Sequence, residues 1–351
     1  MPDIILIRPH CKEKSKTERL SAILEKSLEG YTYSTITTVE EFDNMRNKKI
    51  LFAISLGESG INLELYAIIK KMRLDRTCFE GSVAGMIVDG NSELFTKSVA
   101  RELVFSANMS GCIFPGKPLV EGTRSLDNFN VIAKNLDMDN LSAYMHSGKI
   151  LVEHIMGFNP PRNEIPKLLV LHASNYKTSN SVNLWSIVRE HLKECEITDI
   201  SLRNGTIMDC IGCPYQTCQH FGGDERCFYG GVIVDEVYPA IIECDALILL
   251  CPNYNDAVSA NLSAFINRLT ALLRKTKFYD KYLFSIIVSG YSGSDIVAQQ
   301  LISGLNMNKT FILPSQFAMM ETANNAGSIL KNDGIEERAE AFAHNILKSL
   351  I

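Results

Sequence analysis

The chain has 351 residues, 46% of them hydrophobic, which is enough for two domains with separate cores. A formal charge of −5 offers no basic surface for nucleic acid or an anionic membrane. No apolar run is long enough to span a bilayer. The start MPDIILIRPH has no basic n-region and reads as a first strand, so no secretory leader is expected ahead of the ten cysteines. The expectation is a cytoplasmic chain with reduced thiols.

In chain order, the first half predicts strands over Asp3–Ile7, Tyr31–Thr37, Lys49–Ser55, Val83–Asp89 and Cys112–Phe114, with helices between them. Gly157–Lys167 (GFNPPRNEIPK) reads as an extended linker, since Pro160, Pro161 and Pro166 remove donors and fix the backbone. Beyond it come a strand at Lys167–Ala173, a helix at Ser181–Glu194 and a strand at Glu196–Leu202. A cysteine-rich loop at 208–231 follows, then a helix at Val232–Cys244 that Pro239 must kink or begin. The remaining elements are a strand at Asp245–Cys251, a helix at Ser259–Lys275, strands at Tyr282–Ser289 and Thr310–Leu313, and a closing helix at Ile335–Leu350. Strands alternating with helices predict two tandem doubly wound α/β domains, 1–156 and 168–351, joined through 157–167.

The halves also resemble each other. GMIVDGNSELFTKSVARELVFSANMSGCIFPGKP from Gly85 aligns with SIIVSGYSGSDIVAQQLISGLNMNKTFILPSQ from Ser285, pairing Gly90 with Gly290 and Pro115 with Pro314. Element order and spacing point to a duplication.

Three turns of the second half could carry chemistry. HASNYKTSNSV sets Ser174, Lys177, Ser179, Asn180 and Ser181 ahead of a helix, where free N–H groups and the positive dipole end suit a phosphate. The same residue types are favoured N-caps. CPNYNDAVSANL places Pro252, Asn253, Tyr254 and Asn255 at the carboxyl end of a central strand, where open α/β sheets bind ligands. An aromatic side chain with two amides suits a flat heteroaromatic ring. SGYSGSD brings Ser289, Gly290 and Tyr291 to a third strand end. Neither a Walker loop nor a dinucleotide fingerprint is present.

In that order, these loops resemble the flavodoxin-like NAD(P)H-dependent FMN reductases, and most closely the iron–sulfur flavoproteins. That resemblance implies two tandem flavodoxin-like domains, the second binding FMN. Ser174, Lys177, Ser179, Asn180 and Ser181 would lie at its phosphate, Pro252 to Asn255 along the isoalloxazine, and Ser289, Gly290 and Tyr291 on the third side. Two positions depart from the family: Tyr176 replaces the usual arginine, and Asp256 stands where a small residue is common.

Cys210, Cys213, Cys218 and Cys227 are spaced C-x2-C-x4-C-x8-C, a looser third interval than the relatives use. Four thiolates on a wrapping loop suit a [4Fe–4S] cluster. A zinc site, with His220 as a further ligand, and a metal-free thiol loop are the other readings. Cys11, Cys78, Cys112, Cys195, Cys244 and Cys251 read as core residues. So do the scattered histidines His146, His154, His172, His191 and His344, or as surface ones.

In the first half, PHCKEKSKTERL aligns with the phosphate turn. Ser15 and Thr17 match Ser179 and Ser181, but the loop is basic and the cysteine loop has no counterpart. This half reads as a degenerate flavodoxin-like copy without flavin. It would pair with the second half about a pseudo-twofold axis, as an intrachain counterpart of the family's homodimer. The functional expectation is an FMN-dependent oxidoreductase exchanging electrons between NAD(P)H or a ferredoxin-type donor and a small-molecule or protein acceptor, with no side chain required as acid or base. The alternative is a non-enzymatic flavodoxin-like module that senses metal or redox state.

Overall fold

The computed structural model describes residues 2–351 apart from 13, 58, 175–177 and 204–206, with the side chains of 14–17 also undescribed. The chain divides into two compact units, Met1–Asn159 and Pro160–Ile351. In the first, β1 (Ile4–Ile7), β2 (Tyr33–Ile36), β3 (Lys49–Ser55), β4 (Val83–Asp89) and β5 (Leu119–Gly122) alternate with α1 (Lys14–Ser27), α2 (Leu63–Leu74), α3 (Thr96–Met109), α4 (Asn130–Leu136) and α5 (Asn140–Gly157). The second contains β6 (Lys167–His172), α6 (Asn180–Glu190), β7 (Glu196–Ser201), α7 (Tyr215–Gly223), α8 (Tyr238–Glu243) and β8 (Ala246–Pro252). It continues through α9 (Ala260–Leu272), β9 (Tyr282–Ser289), α10 (Ser294–Leu301), β10 (Ala318–Thr322) and α11 (Ile335–Leu350).

Every strand pairing is parallel, and the two sheets run β2-β1-β3-β4-β5 and β7-β6-β8-β9-β10. This is the flavodoxin-like order, with the topological switch beside the first strand of each unit. The central strands β3, β4, β8 and β9 are apolar on both faces because helices cover both sides of a parallel sheet. The edge strands β2 and β7 keep exposed polar side chains. No helix among the described residues is long and apolar enough to cross a membrane.

The expected fifth strands are displaced in both units. Cys112, Phe114 and Thr310–Leu313 are buried and Ile113 is partly buried, but each segment contributes only a single bridge, Val83 to Ile113 and Tyr282 to Ile312. Pro115 and Pro314 then end the pairing, since proline has no N–H for a ladder. The chain turns at Lys117 (φ 55°) and Gln316 (φ 48°) and re-enters as β5 and β10. One further detail repeats: buried Asn108 Nδ2 donates to Cys112 O at 2.9 Å, and buried Asn306 Nδ2 to Phe311 O at 2.8 Å.

The predicted helix over Val232–Cys244 is a π-turn at Ile233–Val237 followed by α8, with Pro239 in the first turn of α8, where its missing N–H costs nothing. The proline segment after α5 is pinned to the second unit. Asn163 N donates to Leu350 O, Asn163 Nδ2 to Asp245 Oδ1, and Tyr282 Oη to Pro161 O.

Candidate functional site

The carboxyl ends of β6, β8 and β9 bring three loops of the second unit together. Ser174 follows β6 and is buried, and its Oγ has no partner among the described residues. Lys177 and Tyr176 lie outside the described residues. Ser179 caps α6, accepting from Val182 N at 3.5 Å, and its Oγ lies 2.9 Å from that of fully buried Ser181. Asn180 Nδ2 donates to Ala323 O at 3.1 Å and Asn325 O at 2.9 Å, tying this loop to the one after β10.

Beneath the loop, His172 is fully buried. Its Nε2 stands 3.2 Å from Asp199 Oδ1 and its Nδ1 accepts from Ser174 N at 3.3 Å. It is a satisfied core histidine, as expected, but one that also orients the turn. Only its place as the last strand residue could have signalled this in sequence.

The second loop is tightly wired. Asn253 Nδ2 donates to Ser289 Oγ (3.1 Å), Ser292 O (2.9 Å) and Asp256 Oδ1 (3.2 Å), while Asn253 Oδ1 is buried without a partner among the described residues. Asn255 and Asp256 both take left-handed backbone, with φ of 53° and 58°. Gln300 fixes this bend from α10, accepting from Val258 N at 3.0 Å and donating to Asp256 O at 2.8 Å. Asp256 packs so close to Gly293 that a Cβ there would lie 2.0 Å from its Oδ1. The departure at Asp256 is thus absorbed by a glycine opposite it. Ser289 Oγ lies 2.6 Å from Ser294 Oγ, and Asn324 Nδ2 donates to Tyr291 Oη at 3.0 Å beside Gly290. Tyr254 and Tyr291 project outward, both well exposed.

Residues 166–325, which span these loops, match the family model described as NADPH-dependent FMN reductase. Over that stretch the chain is similar to the NADPH-dependent FMN reductases. Solved structures similar to this chain include an FMN-dependent NADH-azoreductase from Bacillus anthracis in complex with FMN, at 13% identity and a TM-score of 0.37, covering 52% of this chain and 100% of that one. An NAD(P)H:quinone oxidoreductase from Methanothermobacter marburgensis aligns at 15% identity and a TM-score of 0.37, covering 52% and 97%. The apo form of the NADH:FMN oxidoreductase EMOB aligns at 14% identity and a TM-score of 0.38, covering 53% and 90%. No curated protein matches the chain in sequence.

The cysteine loop of the second unit packs on α9. Cys210, Cys213, Cys218 and Cys227 are free thiols lining one cavity of about 210 Å³. Phe221, Phe228 and Tyr229 form part of its wall, with ring centroids 5.4 Å and 5.1 Å apart in sequence. The thiols share the cavity without being drawn to one point: no three His, Cys, Asp or Glu side chains among the described residues form a metal-ligand group. His220 packs edge-on against Phe221 and does not line the cavity.

Arg268 of α9 also lines it, only 3% exposed. Its Nη1 donates to Met208 O at 3.3 Å and its Nη2 to Gly230 O at 2.7 Å, so one guanidinium holds both ends of the cysteine loop. Tyr238, whose phenol burial pushes well up, donates to Arg268 O at 2.6 Å. Sequence reading missed Arg268, which lies between helical neighbours with no motif around it.

The other thiols differ in character. Burial pushes Cys244 and Cys251 up to about 12 and Cys78 up to about 11, so they stay protonated in the core at neutral pH. Cys11 and Cys195, read from sequence as core, are only half-buried.

The corresponding strand ends of the first unit are occupied by the protein's own side chains. Asp89, fully buried at the end of β4, receives Arg19 Nε at 2.8 Å and Nη2 at 2.9 Å. Arg19 Nη2 also donates to Gly90 O and Thr123 O, both at 3.1 Å. Tyr144 Oη donates to Asp89 Oδ2 at 3.2 Å, its phenol kept protonated first by burial and then by the Asp89 charge. The side chains of Ser15 and Thr17 lie outside the described residues.

Proposed function

We propose that the second unit binds FMN across the carboxyl ends of β6, β8 and β9 and acts as an FMN-dependent oxidoreductase supplied with electrons by NAD(P)H. The observation that carries this is a pair of polar atoms, Ser174 Oγ and Asn253 Oδ1, buried in two of the three loops without a partner among the described residues. A buried polar atom without a partner costs about 1–3 kcal/mol, which a bound ligand's hydrogen bonds would recover. FMN supplies the ring that accepts hydride or electrons. The chain's residues bind and orient it. The N-terminus of α6, with Ser174, Ser179 and Ser181, offers hydroxyls and free N–H groups to a phosphate. Asn253, held by Ser289 and Asp256, offers a fixed amide to a ring edge. Tyr254 and Tyr291 supply exposed aromatic faces at the mouth.

The same reading gives the unit a second redox group, a [4Fe–4S] cluster on Cys210, Cys213, Cys218 and Cys227, which would exchange single electrons. Four free thiols on one cavity, screened by aromatic rings, are a donor set of the right kind.

Titration of anaerobically purified protein with FMN tests the main claim. Resolved visible flavin bands should appear on the protein, followed by catalysed NAD(P)H oxidation. A protein that stays colourless in excess FMN would instead favour a non-enzymatic module. One that binds FMN yet leaves NAD(P)H untouched would overturn the assignment of NAD(P)H as electron donor.

A further inference from the structure

The least expected group in the cysteine cavity is a cation. Arg268 is nearly buried, yet among the described residues it makes no ion pair. Its two hydrogen-bond partners, Met208 O and Gly230 O, are neutral carbonyls, and its Nε is buried with no partner among the described residues. An unpaired charge is costly to bury and is normally matched by an opposite one. Arg274 adds a second guanidinium at the rim, stacked 4.5 Å over the Tyr215 ring. Four neutral thiols would leave this cationic wall uncompensated, whereas four metal-bound thiolates would make the cavity anionic.

We propose that Arg268 is the built-in counter-cation of the cysteine centre, raising the reduction potential of a [4Fe–4S] cluster bound there while its hydrogen bonds close the loop that carries the ligands. This rests on the proposal that the four cysteines take up a cluster. A positive charge fixed in a cavity of low dielectric favours the more negative, reduced form. Removing it disfavours uptake of the electron. Arg274, at the solvent edge, acts in the same direction but is screened by salt.

The test uses full-length protein reconstituted without oxygen with ferrous iron and sulfide. Iron and sulfide content are measured first, then the one-electron midpoint potential by dye-mediated titration. Wild type and R268K should hold the same iron content at nearly the same potential. R268Q should become harder to reduce by about tenfold or more in the equilibrium constant, a shift of about 59 mV to lower potential. R274Q should shift the same way by less, and high salt should erase its shift. An R268Q cluster at the wild-type potential, or an R268K shift as large as that of R268Q, would overturn the role of charge. If R268Q does not fold, R274Q decides: an unchanged potential at low salt contradicts the proposal. Failure of wild type to take up iron would instead refute the underlying cluster assignment.

Discussion

Asp89 and Ser289 end equivalent strands of the two units, and they show how one scaffold can be closed or left open. In the first unit a buried carboxylate draws Arg19 across the strand ends, and the guanidinium takes up the Gly90 and Thr123 carbonyls as well. In the second, a serine hydroxyl stands there, bonded to Asn253 and Ser294, with orphaned polar atoms nearby at Ser174 and Asn253. Strand order, the asparagine staple before the last crossover and the proline exit are common to both. Chemistry at the strand ends therefore differs while the packing that builds the sheet does not.

The largest expected effect separates the cysteine loop, which the first unit lacks, from the flavin loops. Replacing all four of Cys210, Cys213, Cys218 and Cys227 by serine should abolish iron uptake on reconstitution and leave FMN content unchanged. Flavin lost in parallel with iron would show that the two sites are not separable.

Next comes the lock of the first unit. R19M removes the guanidinium that faces the buried Asp89 carboxylate, leaving the Tyr144 hydroxyl on it, and should cost about 3–5 kcal/mol of stability. N183A, at the aligned position of α6, should stay within about 0.5 kcal/mol. Urea unfolding followed by far-ultraviolet circular dichroism compares them, and equal losses would erase the distinction drawn between the units.

Ser174→Ala has a signed expectation in each state. Without ligand, removing an unpartnered buried hydroxyl should leave stability unchanged or slightly higher. With ligand it should weaken FMN binding by about 1–3 kcal/mol, roughly tenfold to a hundredfold. Loss of apo stability with FMN affinity intact would mean that the hydroxyl is structural.

The smallest effect belongs to Gln300→Ala, which removes both bonds holding the left-handed bend at Asn255 and Asp256. FMN affinity should fall several-fold, about 1 kcal/mol, as read by fluorescence titration.

Much of this was legible from the sequence because it is local. Apolar runs marked the central strands, and the polar turn before α6 marked a helix start whose cap, Ser179, has its hydroxyl on Ser181. Cysteine spacing marked a loop whose thiols do face one cavity. What escaped was non-local. Arg19 meets Asp89 across 70 residues, and Arg268 reaches Met208 and Gly230 from a helix whose local pattern is ordinary. The fifth strands were misplaced because the apolar runs before Pro115 and Pro314 are buried as strands are, yet can make only a bridge before the chain must turn. Asn180 suited a phosphate by type but is engaged by the carbonyls of Ala323 and Asn325.

The flavin stoichiometry of the intact chain tests the contrast between the units most directly. Equilibrium titration of flavin-free protein with FMN should saturate at one FMN per chain, and R19M should not add a second site. Saturation at two, or no binding at all, would contradict a closed first unit beside an open second one.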